Sequence, residues 1–272
     1  MSTKIGFIGY GAMSSAMIKG LVGLRDFKVS NIMVTDRNED KKKMAQQELG
    51  VNVQYDAKEI AGFVRLLIIA VKPGDYQAVV NEIKDHLNPK TVIISLAAGL
   101  TIKALEGYFD QPVKLVRAMP NLPVQVQAGM TAIKPNKHVT EAELKGVSRF
   151  FDALGQSAVI NESLMDAAIV TSGSAPAYVY MMIEAMIQGG IKAGMSKEMS
   201  TRFVTQAMLG ATKMVMETGE NPKDLRDAVC SPNGTTIEAV NYLNDYDFSL
   251  IVQNAMKVCK EKSRDMSKSL IF

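Results

Sequence analysis

The sequence predicts an α/β fold, with a doubly wound parallel sheet in the N-terminal half and an all-helical domain after it. Over the first 160 residues, short apolar runs alternate with segments of helical spacing, which is typical of a parallel sheet covered by helices. Beyond that point the strand pattern stops and the apolar residues recur at helical spacing. The length of 272 residues suits two domains at about 150 residues each. We therefore expect one domain over residues 1–160 and a second over residues 161–272.

The strands of the first domain are predicted from short runs rich in Val, Ile and Leu. These runs cover residues 4–8, 32–35, 66–71, 92–96, 113–116 and 130–133. A helix near residues 141–153 is predicted from its ends. Thr140 and Glu143 have the spacing of a capping box, and Gly155 suits a helix C-terminus.

The second domain is predicted to consist of helices only. Their expected ranges are 165–195, 197–217, 223–229, 236–243 and 248–267. The third of these has a clear start, because Asn221 is a good N-cap residue and Pro222 suits the first helical position. Several of the helices are apolar on most faces, so we expect part of their surface to be buried against other helices.

The composition argues against several classes of protein. Lys and Arg number 31 against 28 Asp and Glu, so the net charge of +3 gives no reason to expect nucleic acid or a membrane surface as a partner. No apolar run approaches the roughly 18–20 residues of a membrane span. The two cysteines form no Cys-x-x-Cys pair and there are two histidines, so we expect neither a metal site nor a disulfide scaffold. Free thiols favour a reducing compartment, and we expect a cytoplasmic protein.

A glycine pattern lies where the first predicted strand meets the first predicted helix. Gly9-x-Gly11 matches the first two glycines of the dinucleotide fingerprint, and Ser14 stands at the usual third glycine. Gly9 would allow the tight turn, and Gly11 would let the backbone approach a pyrophosphate at the helix N-terminus. Its place between a strand and a helix favours a nucleotide site over a purely structural turn. We therefore predict a Rossmann-like domain whose coenzyme contacts include Gly9, Gly11, Ala12 and Met13.

The end of the second strand carries two opposing indications about the coenzyme. Asp36 lies where an acidic residue binds the ribose 2′-hydroxyl of NAD. Arg37 follows at once, and an arginine here suits the 2′-phosphate of NADP. Lys41 and Lys42 are close by in the sequence. We therefore expect NADPH or NADH, with Asp36 and Arg37 both at the site and the preference left open.

Five further segments, in order along nearly the whole chain, resemble the pyrroline-5-carboxylate reductase family. The segment from Asp227 onwards is the most specific of them, since it is similar to that family's Asp-x-Val-x-Ser-Pro-Gly-Gly-Thr-Thr-Ile signature. The segments are Ala70-Val71-Lys72-Pro73, Ser95-Leu96-Ala97-Ala98-Gly99-Leu100-Thr101, Arg117-Ala118-Met119-Pro120-Asn121, Ser172-Gly173-Ser174-Ala175-Pro176-Ala177-Tyr178 and Asp227-Ala228-Val229-Cys230-Ser231-Pro232-Asn233-Gly234-Thr235-Thr236-Ile237.

The resemblance implies an activity, a coenzyme site and an assembly. The activity is hydride transfer from NAD(P)H to the cyclic imine pyrroline-5-carboxylate, which gives L-proline. The assembly is a homo-oligomer through the helical domain. Lys72 is expected to contact the coenzyme, and Asn121 to orient its nicotinamide amide. The further coenzyme residues that the resemblance implies are Ala70, Val71, Pro73 and Ala98.

The substrate is expected at the loop that ends the last of these segments. Thr235 and Glu238 have capping-box spacing, which predicts a helix N-terminus where N–H groups can bind a carboxylate. From the spacing alone, Ser231 and Thr235 could merely cap a helix. The resemblance favours substrate binding and implies that Thr236, as the catalytic residue, bonds the ring nitrogen. The substrate-binding residues are then Ser231, Asn233, Gly234, Thr235 and Thr236.

The sequence departs from the family pattern at several positions. Ala175 and Asn233 replace glycines, although asparagine tolerates left-handed backbone better than most residues. Ala57 stands where the family often has an asparagine near the adenosine ribose. Two alternatives therefore stay open: a related imine or β-hydroxyacid reductase with another substrate, and a dinucleotide-binding regulator without turnover. A β-hydroxyacid reductase would need a lysine early in the first long helix, and none occurs before Lys192.

Overall fold

A computed structural model describes residues 3–25, 27–54 and 56–269. The chain forms two compact units. The first runs up to Ser174 and takes in the chain again from Cys259, and the second is Ala175–Val258. The outer ends of the two predicted domains, residues 1–2 and 270–272, lie outside the described residues.

The first unit is built on an eight-stranded sheet within the described residues, with the order β3-β2-β1-β4-β5-β6-β7-β8. All neighbouring strands are parallel except β6 and β7, which are antiparallel. The strands are β1 Ile5–Ile8, β2 Ile32–Thr35, β3 Asn52–Val53, β4 Leu66–Ile69, β5 Val92–Ser95, β6 Lys114–Met119, β7 Gly129–Pro135 and β8 Gly155–Val159. The predicted α/β class with a doubly wound sheet is thus confirmed, with one antiparallel pairing.

All six predicted strands are present, and two further strands were missed. β3 has only two residues, and β8 is partly exposed along its length, so neither has a continuous apolar run. The prediction that Gly155 ends a helix was wrong, because Gly155 begins β8. Its φ is +142°, and a Cβ there would lie 2.1 Å from the carbonyl oxygen of Gly129, so this strand pairing requires glycine.

Seven helices of the first unit lie between or after the strands in the described residues. Their ranges are α1 Ala12–Val22, α2 Glu39–Leu49, α3 Ala57–Phe63, α4 Tyr76–Ile83, α5 Ile102–Glu106, α6 Glu141–Asp152 and α7 Met165–Ala168. The capping box predicted for α6 is formed. The Thr140 hydroxyl accepts the Glu143 N–H, and the Glu143 carboxylate accepts the Thr140 N–H at 3.0 Å.

The core of this unit lies on both faces of the sheet. Successive strand residues point to opposite faces, so Phe7 and Ile68 join one apolar cluster while Ile8 and Leu67 join the other. Both clusters are buried because helices cover both faces, which explains the continuous apolar runs in the sequence. Polar side chains are thereby left to the strand ends, where a site can form.

The helix predicted over residues 165–195 is interrupted, which corrects that prediction. A π-helical turn, Ile169–Gly173, separates α7 from α8, and the Ser174 N–H bonds the carbonyl oxygen of Ile169 at 2.8 Å. Pro176 gives a physical reason. It lacks the N–H that would bond the carbonyl oxygen of Ser172 in a regular helix, so one hydrogen bond of the α pattern is lost at this point.

The second unit is helical, as predicted. Its helices are α8 Ala175–Lys192, α9 Lys197–Thr218, α10 Pro222–Val229, α11 Thr235–Asp245 and α12 Phe248–Ser269, the last of which continues into the residues from Cys259. The predicted cap of α10 is confirmed, because the Asn221 side chain accepts the Lys223 N–H. No helix in the described part of the chain has the length and apolar character needed to cross a membrane.

The second unit buries few of its own side chains. Within Ala175–Val258 only Ser200 and Val204 are buried. Large apolar side chains are instead exposed on several of its helices, including Met181 at 69%, Phe203 at 61% and Ile251 at 59%. Such helices are typical of a surface that another protein chain covers.

Candidate functional site

A groove of about 550 Å³ lies where strands β1, β2 and β4 end. The strand order reverses at this point, because the chain passes from β1 to β2 on one side and later returns to β4 on the other. Ligands of open α/β sheets bind in the crevice at such a reversal, beside the carboxyl ends of the strands. The groove is therefore the part of the first unit best placed to bind a ligand.

Glycines form the floor of the groove. Gly9 has a φ of +97°, and a Cβ there would lie 2.8 Å from the carbonyl oxygen of Ala70, so the turn between β1 and α1 needs glycine. At Gly11 a Cβ would meet no atom within 4 Å. Gly11 is also the N-cap of α1, and no side chain in the described chain caps that helix. The first N–H groups of α1 thus have no side-chain acceptor among the described residues, which suits an anion such as a pyrophosphate.

Asp36 fixes the wall of the groove at the end of β2. Its side chain is 9% exposed. One carboxylate oxygen accepts the Tyr10 N–H at 2.7 Å, and the other accepts the Asn38 N–H at 2.9 Å. The bond to Tyr10 helps to shape the glycine turn. Each oxygen keeps a further lone pair, so Asp36 can still accept a hydrogen bond from a ribose hydroxyl.

Several charged residues around the groove form ion pairs. The Lys41 ammonium lies 3.8 Å from Asp36, and Lys42 pairs with Glu39 within α2. Arg37 instead reaches across to Asp75, in the 3₁₀ turn that follows β4, with Nη1 and Oδ1 3.0 Å apart. The groove therefore has alternating positive and negative charges.

The predicted coenzyme residues divide into two groups. Those that line the groove are Gly9, Gly11, Asp36, Arg37, Ala70, Val71 and Lys72. Those that do not line it are Ala12, Met13, Pro73, Ala98 and Asn121. The structure adds Asp75, which the sequence analysis did not select, although it lies only three residues after Lys72. It also places Ala57 on the groove, where the family often carries an asparagine.

The Asn121 side chain makes its hydrogen bonds within the protein. Its amide nitrogen donates to the carbonyl oxygen of Ser172 at 3.2 Å and lies 3.3 Å from the Ser172 hydroxyl. Its amide oxygen accepts the Met130 N–H at 2.9 Å. The Ser172 carbonyl is the group that Pro176 leaves without a helical donor, so Asn121 supplies the missing hydrogen bond. Its predicted contact with the nicotinamide stays a prediction beside this structural role.

Arg117 is also turned towards the protein interior. Its side chain is 5% exposed, and its Nη1 donates to Glu162 at 3.2 Å. The same Glu162 oxygen accepts the Ile102 N–H at 2.6 Å at the start of α5. Arg117 thus ties β6 to α5 through one carboxylate. At the first residue of α4, burial raises the pKa of the Tyr76 hydroxyl well above its usual range, so this phenol stays neutral.

The second candidate region is the loop between α10 and α11, in the second unit. The Gly234 N–H bonds the carbonyl oxygen of Ser231 at 3.0 Å, which closes a tight turn. Asn233 has a φ of +57°, the left-handed conformation that the family's glycine would adopt without strain. The expectation that asparagine can replace that glycine is therefore met by its backbone conformation.

The predicted capping box at Thr235 and Glu238 is not formed. α11 begins at Thr235, so Gly234 is the N-cap and no side chain in the described chain caps the helix. The prediction placed both the helix start and its cap one residue too late. Because the turn from Ser231 closes at Gly234, Gly234 and not Thr235 is the N-cap residue. As a result, the first N–H groups of α11 stay free for an anionic ligand.

The side chains of this loop are accessible. Ser231, Asn233 and Thr235 are exposed, and Thr236 is half-buried on the first turn of α11. A carboxylate bound at the helix N-terminus would therefore meet hydroxyl groups as well as backbone N–H groups. The loop and the groove thus each have a helix N-terminus that no side chain of the described residues caps.

Comparison with known proteins identifies the family. Residues 162–266 match the model of pyrroline-5-carboxylate reductase dimerisation, and residues 4–99 match that of the coenzyme F420-dependent NADP oxidoreductases. Pyrroline-5-carboxylate reductase of Escherichia coli is 41% identical over 99% of this chain and 100% of its own. That of Methanosarcina acetivorans is 36% identical over 97% and 98%. The crystal structure of the Plasmodium falciparum pyrroline carboxylate reductase with NADP bound is 32% identical, with a TM-score of 0.87 over 97% of this chain and 98% of its own.

These similarities run through both units, and they include the groove at the sheet edge and the loop before α11. Both relatives are more than 30% identical over at least 97% of this chain and of their own length. The chain belongs to the pyrroline-5-carboxylate reductase family.

Proposed function

We propose that this protein is an NAD(P)H-dependent reductase that converts pyrroline-5-carboxylate to L-proline. The observation that carries the proposal is the loop before α11. There Asn233, in the left-handed conformation, leads into a helix whose N-terminus is capped by no side chain that the structure describes. The relatives named above give the substrate, and this loop offers the groups that a small cyclic carboxylate needs.

The groove of the first unit suits the coenzyme. The free N–H groups of α1 can bind the pyrophosphate, and the open space beside Gly11 leaves room for it. Asp36 and Arg37 lie where the adenosine ribose and its 2′ substituent would be held. When bound, NAD(P)H supplies the hydride.

The loop before α11 would hold the substrate. Its carboxylate would accept hydrogen bonds from the N–H groups of Gly234 and of the first turn of α11. The hydroxyls of Ser231 and Thr235 would donate further hydrogen bonds to it. The Thr236 hydroxyl would bond the ring nitrogen and so orient the imine carbon. A protonated imine already accepts a hydride well, so the residues need to bind and orient rather than to transfer protons. This agrees with the scarcity of histidine.

The exposed apolar helices support a homo-oligomer. Their exposed side chains, such as Met181 and Phe203, would be buried in an isologous contact between two copies. In this proposal residues 1–160 bind the coenzyme, and residues 161–272 bind the substrate and mediate assembly. The small-molecule substrate and the free thiols suit the cytoplasm.

Steady-state kinetics with Thr236→Ala test the proposal. The wild-type protein is expected to oxidise NADH or NADPH with pyrroline-5-carboxylate, followed at 340 nm. Thr236→Ala should lower kcat/KM for the imine by about 100-fold, because one transition-state hydrogen bond is worth about 2.7 kcal/mol. Thr236→Ser keeps the hydroxyl and serves as the control, with most of the activity retained.

The two possible failures of this experiment have different meanings. Full activity in Thr236→Ala would remove Thr236 from the reaction. A wild-type protein that binds a coenzyme yet never turns over the imine would favour another substrate or a regulatory role. Both outcomes would leave the fold and family unchanged.

A further inference from the structure

An ion pair joins two walls of the coenzyme groove. Arg37 follows β2, and Asp75 ends the 3₁₀ turn after β4, so the two residues are 38 positions apart in the chain. Nη1 of Arg37 lies 3.0 Å from Oδ1 of Asp75, and both side chains line the groove.

Arg37 is placed to read the 2′ position of the adenosine ribose. It directly follows Asp36, the residue at which Rossmann-like domains meet that part of the coenzyme. A guanidinium binds phosphate through several N–H groups at once, and the match of geometry makes such contacts strong. When Asp75 holds Arg37, one of those N–H groups faces a carboxylate on the opposite wall instead.

We propose that Asp75 is a specificity-determining residue that, by holding Arg37, disfavours coenzymes with a 2′-phosphate relative to those with a free ribose. The inference rests on the proposed binding of NAD(P)H in this groove. A 2′-phosphate must compete with Asp75 for Arg37, and it also meets the negative charge of the carboxylate itself. A free 2′-hydroxyl does not compete for Arg37 and is not repelled by Asp75, and it can donate a hydrogen bond to Asp36.

The two lysines of α2 that line the groove do not replace Arg37 in this role. Lys41 lies beside Asp36, and Lys42 pairs with Glu39, so each is balanced by an acidic residue of its own loop or helix. Within the described part of the groove, Arg37 is the cation whose partner lies on the opposite wall. A change at Asp75 therefore acts on one guanidinium and leaves the lysine pairs in place.

The exposure of the pair sets the size of the effect. The side chains of Arg37 and Asp75 are 79% and 37% exposed. An exposed pair of this kind is weak, so a phosphate can displace Asp75 at a modest cost. We therefore expect the preference to change by about fivefold when the pair is removed.

The test measures binding and needs no imine. Calorimetric titration of the purified protein with 2′,5′-ADP and with 5′-AMP gives the ratio of the two dissociation constants. Asp75→Asn should shift this ratio about fivefold towards 2′,5′-ADP. Asparagine is also a good N-cap, which suits the position of Asp75 before α4, so the fold is expected to hold.

Two further variants show whether Asp75 acts through Arg37. Asp40→Asn removes a nearby carboxylate that does not line the groove, and it should leave the ratio within about twofold of wild type. In an Arg37→Gln background, Asp75→Asn should have less than half of its effect on the ratio, because the guanidinium it acts on is gone. Kinetics with NADPH and NADH then check the same shift in the loaded enzyme.

Each outcome decides the inference separately from the reaction. A shifted ratio in a protein that fails to reduce pyrroline-5-carboxylate would support the inference and contradict the proposed function. An unchanged ratio in Asp75→Asn would overturn the inference and leave the function standing. If Asp75→Asn shifted the ratio of dissociation constants equally with and without Arg37, Asp75 would not act by holding Arg37, and the inference would be overturned. Failure to bind either nucleotide would show that the groove is not the coenzyme site.

Discussion

Gly9 and Gly11 lie two residues apart, yet a methyl group at each would meet different surroundings. Gly9 has a left-handed backbone and would place a Cβ against the carbonyl of Ala70. Gly11 has room for a Cβ in the free protein. The first glycine is therefore required by the fold, and the second is available to a ligand.

Gly9→Ala is expected to destabilise the protein by about 3 kcal/mol, since it combines a strained φ with a clash against backbone. Urea unfolding at a fixed protein concentration measures the change. Gly11→Ala should alter the free energy of unfolding by about 1 kcal/mol or less, yet weaken coenzyme binding at least tenfold, because the methyl occupies the space for the pyrophosphate. Equal stability of the two variants, or unchanged coenzyme affinity in Gly11→Ala, would contradict this division.

Asn233 shows how far a single residue can be predicted. Its tolerance of left-handed backbone follows from its own side chain, so the sequence alone supports the conformation that the structure has. The cap of α11 was misplaced by one residue. The choice between Thr235 and Gly234 depends on the turn closed by Ser231, and capping-box spacing does not include that turn.

At the scale of elements, α6 starts as its sequence predicts and gains a further contact from the fold. Glu143 closes the capping box with Thr140 and also pairs with Lys114 of β6. Partial burial would raise the pKa of the Glu143 carboxyl, but hydrogen bonds from Lys114 and Thr140 outweigh it and hold that pKa below its usual range. The ionised carboxylate thus stabilises the folded state.

Glu143→Ala is expected to lower the free energy of unfolding by about 1 kcal/mol at pH 7. The folded-state pKa is lower than the unfolded one, so this stabilisation is present above the ordinary glutamate pKa of about 4.3 and is lost as pH falls through the folded value. Urea unfolding of both proteins from pH 7 to pH 3 measures it.

The control for this experiment is Glu141→Ala, in the same first turn of α6 but outside the capping box. At pH 7, Glu141→Ala should lower the free energy of unfolding by less than half as much as Glu143→Ala does. A difference between wild type and Glu143→Ala that stays constant from pH 7 to pH 3 would show that the charge of Glu143 contributes nothing.

The interrupted helix is the element that the sequence described least well. Helical spacing continues through residues 165–195, so periodicity alone predicts one helix. Pro176 signals a break, but the π turn also depends on Asn121, which lies 51 positions before Ser172 and supplies the hydrogen bond that the proline cannot. Local patterns do not register such a distant donor.

At the scale of the whole molecule, the two units differ in how much of themselves they bury. The first unit covers both faces of its sheet and forms two continuous cores. The second leaves large apolar side chains on its surface. A second copy of the chain would remove that apolar area from water, which gives assembly a driving force of about 25 cal/mol per Å².

Phe203→Asp is expected to weaken the homo-oligomer at least 30-fold, since a charge would be buried in an apolar contact. Sedimentation equilibrium measures the dissociation constant. Phe63→Asp provides a matched control, because Phe63 is a similarly exposed phenylalanine, 58% against 61%, in the first unit. An unchanged association in Phe203→Asp would place the subunit contact elsewhere.

Most strands and helices, the glycine turn and the cap of α6 could be predicted from the sequence alone, because they depend on neighbouring residues whose preferences act before the chain has folded. The family was predicted from motifs spread along nearly the whole chain. Only the tertiary structure decided which distant side chains meet: Arg37 with Asp75, Asn121 with Ser172 and Arg117 with Glu162. Arg37 and Asp75 meet because parallel strands bring their carboxyl ends to one edge of the sheet, so residues far apart in the chain become neighbours there.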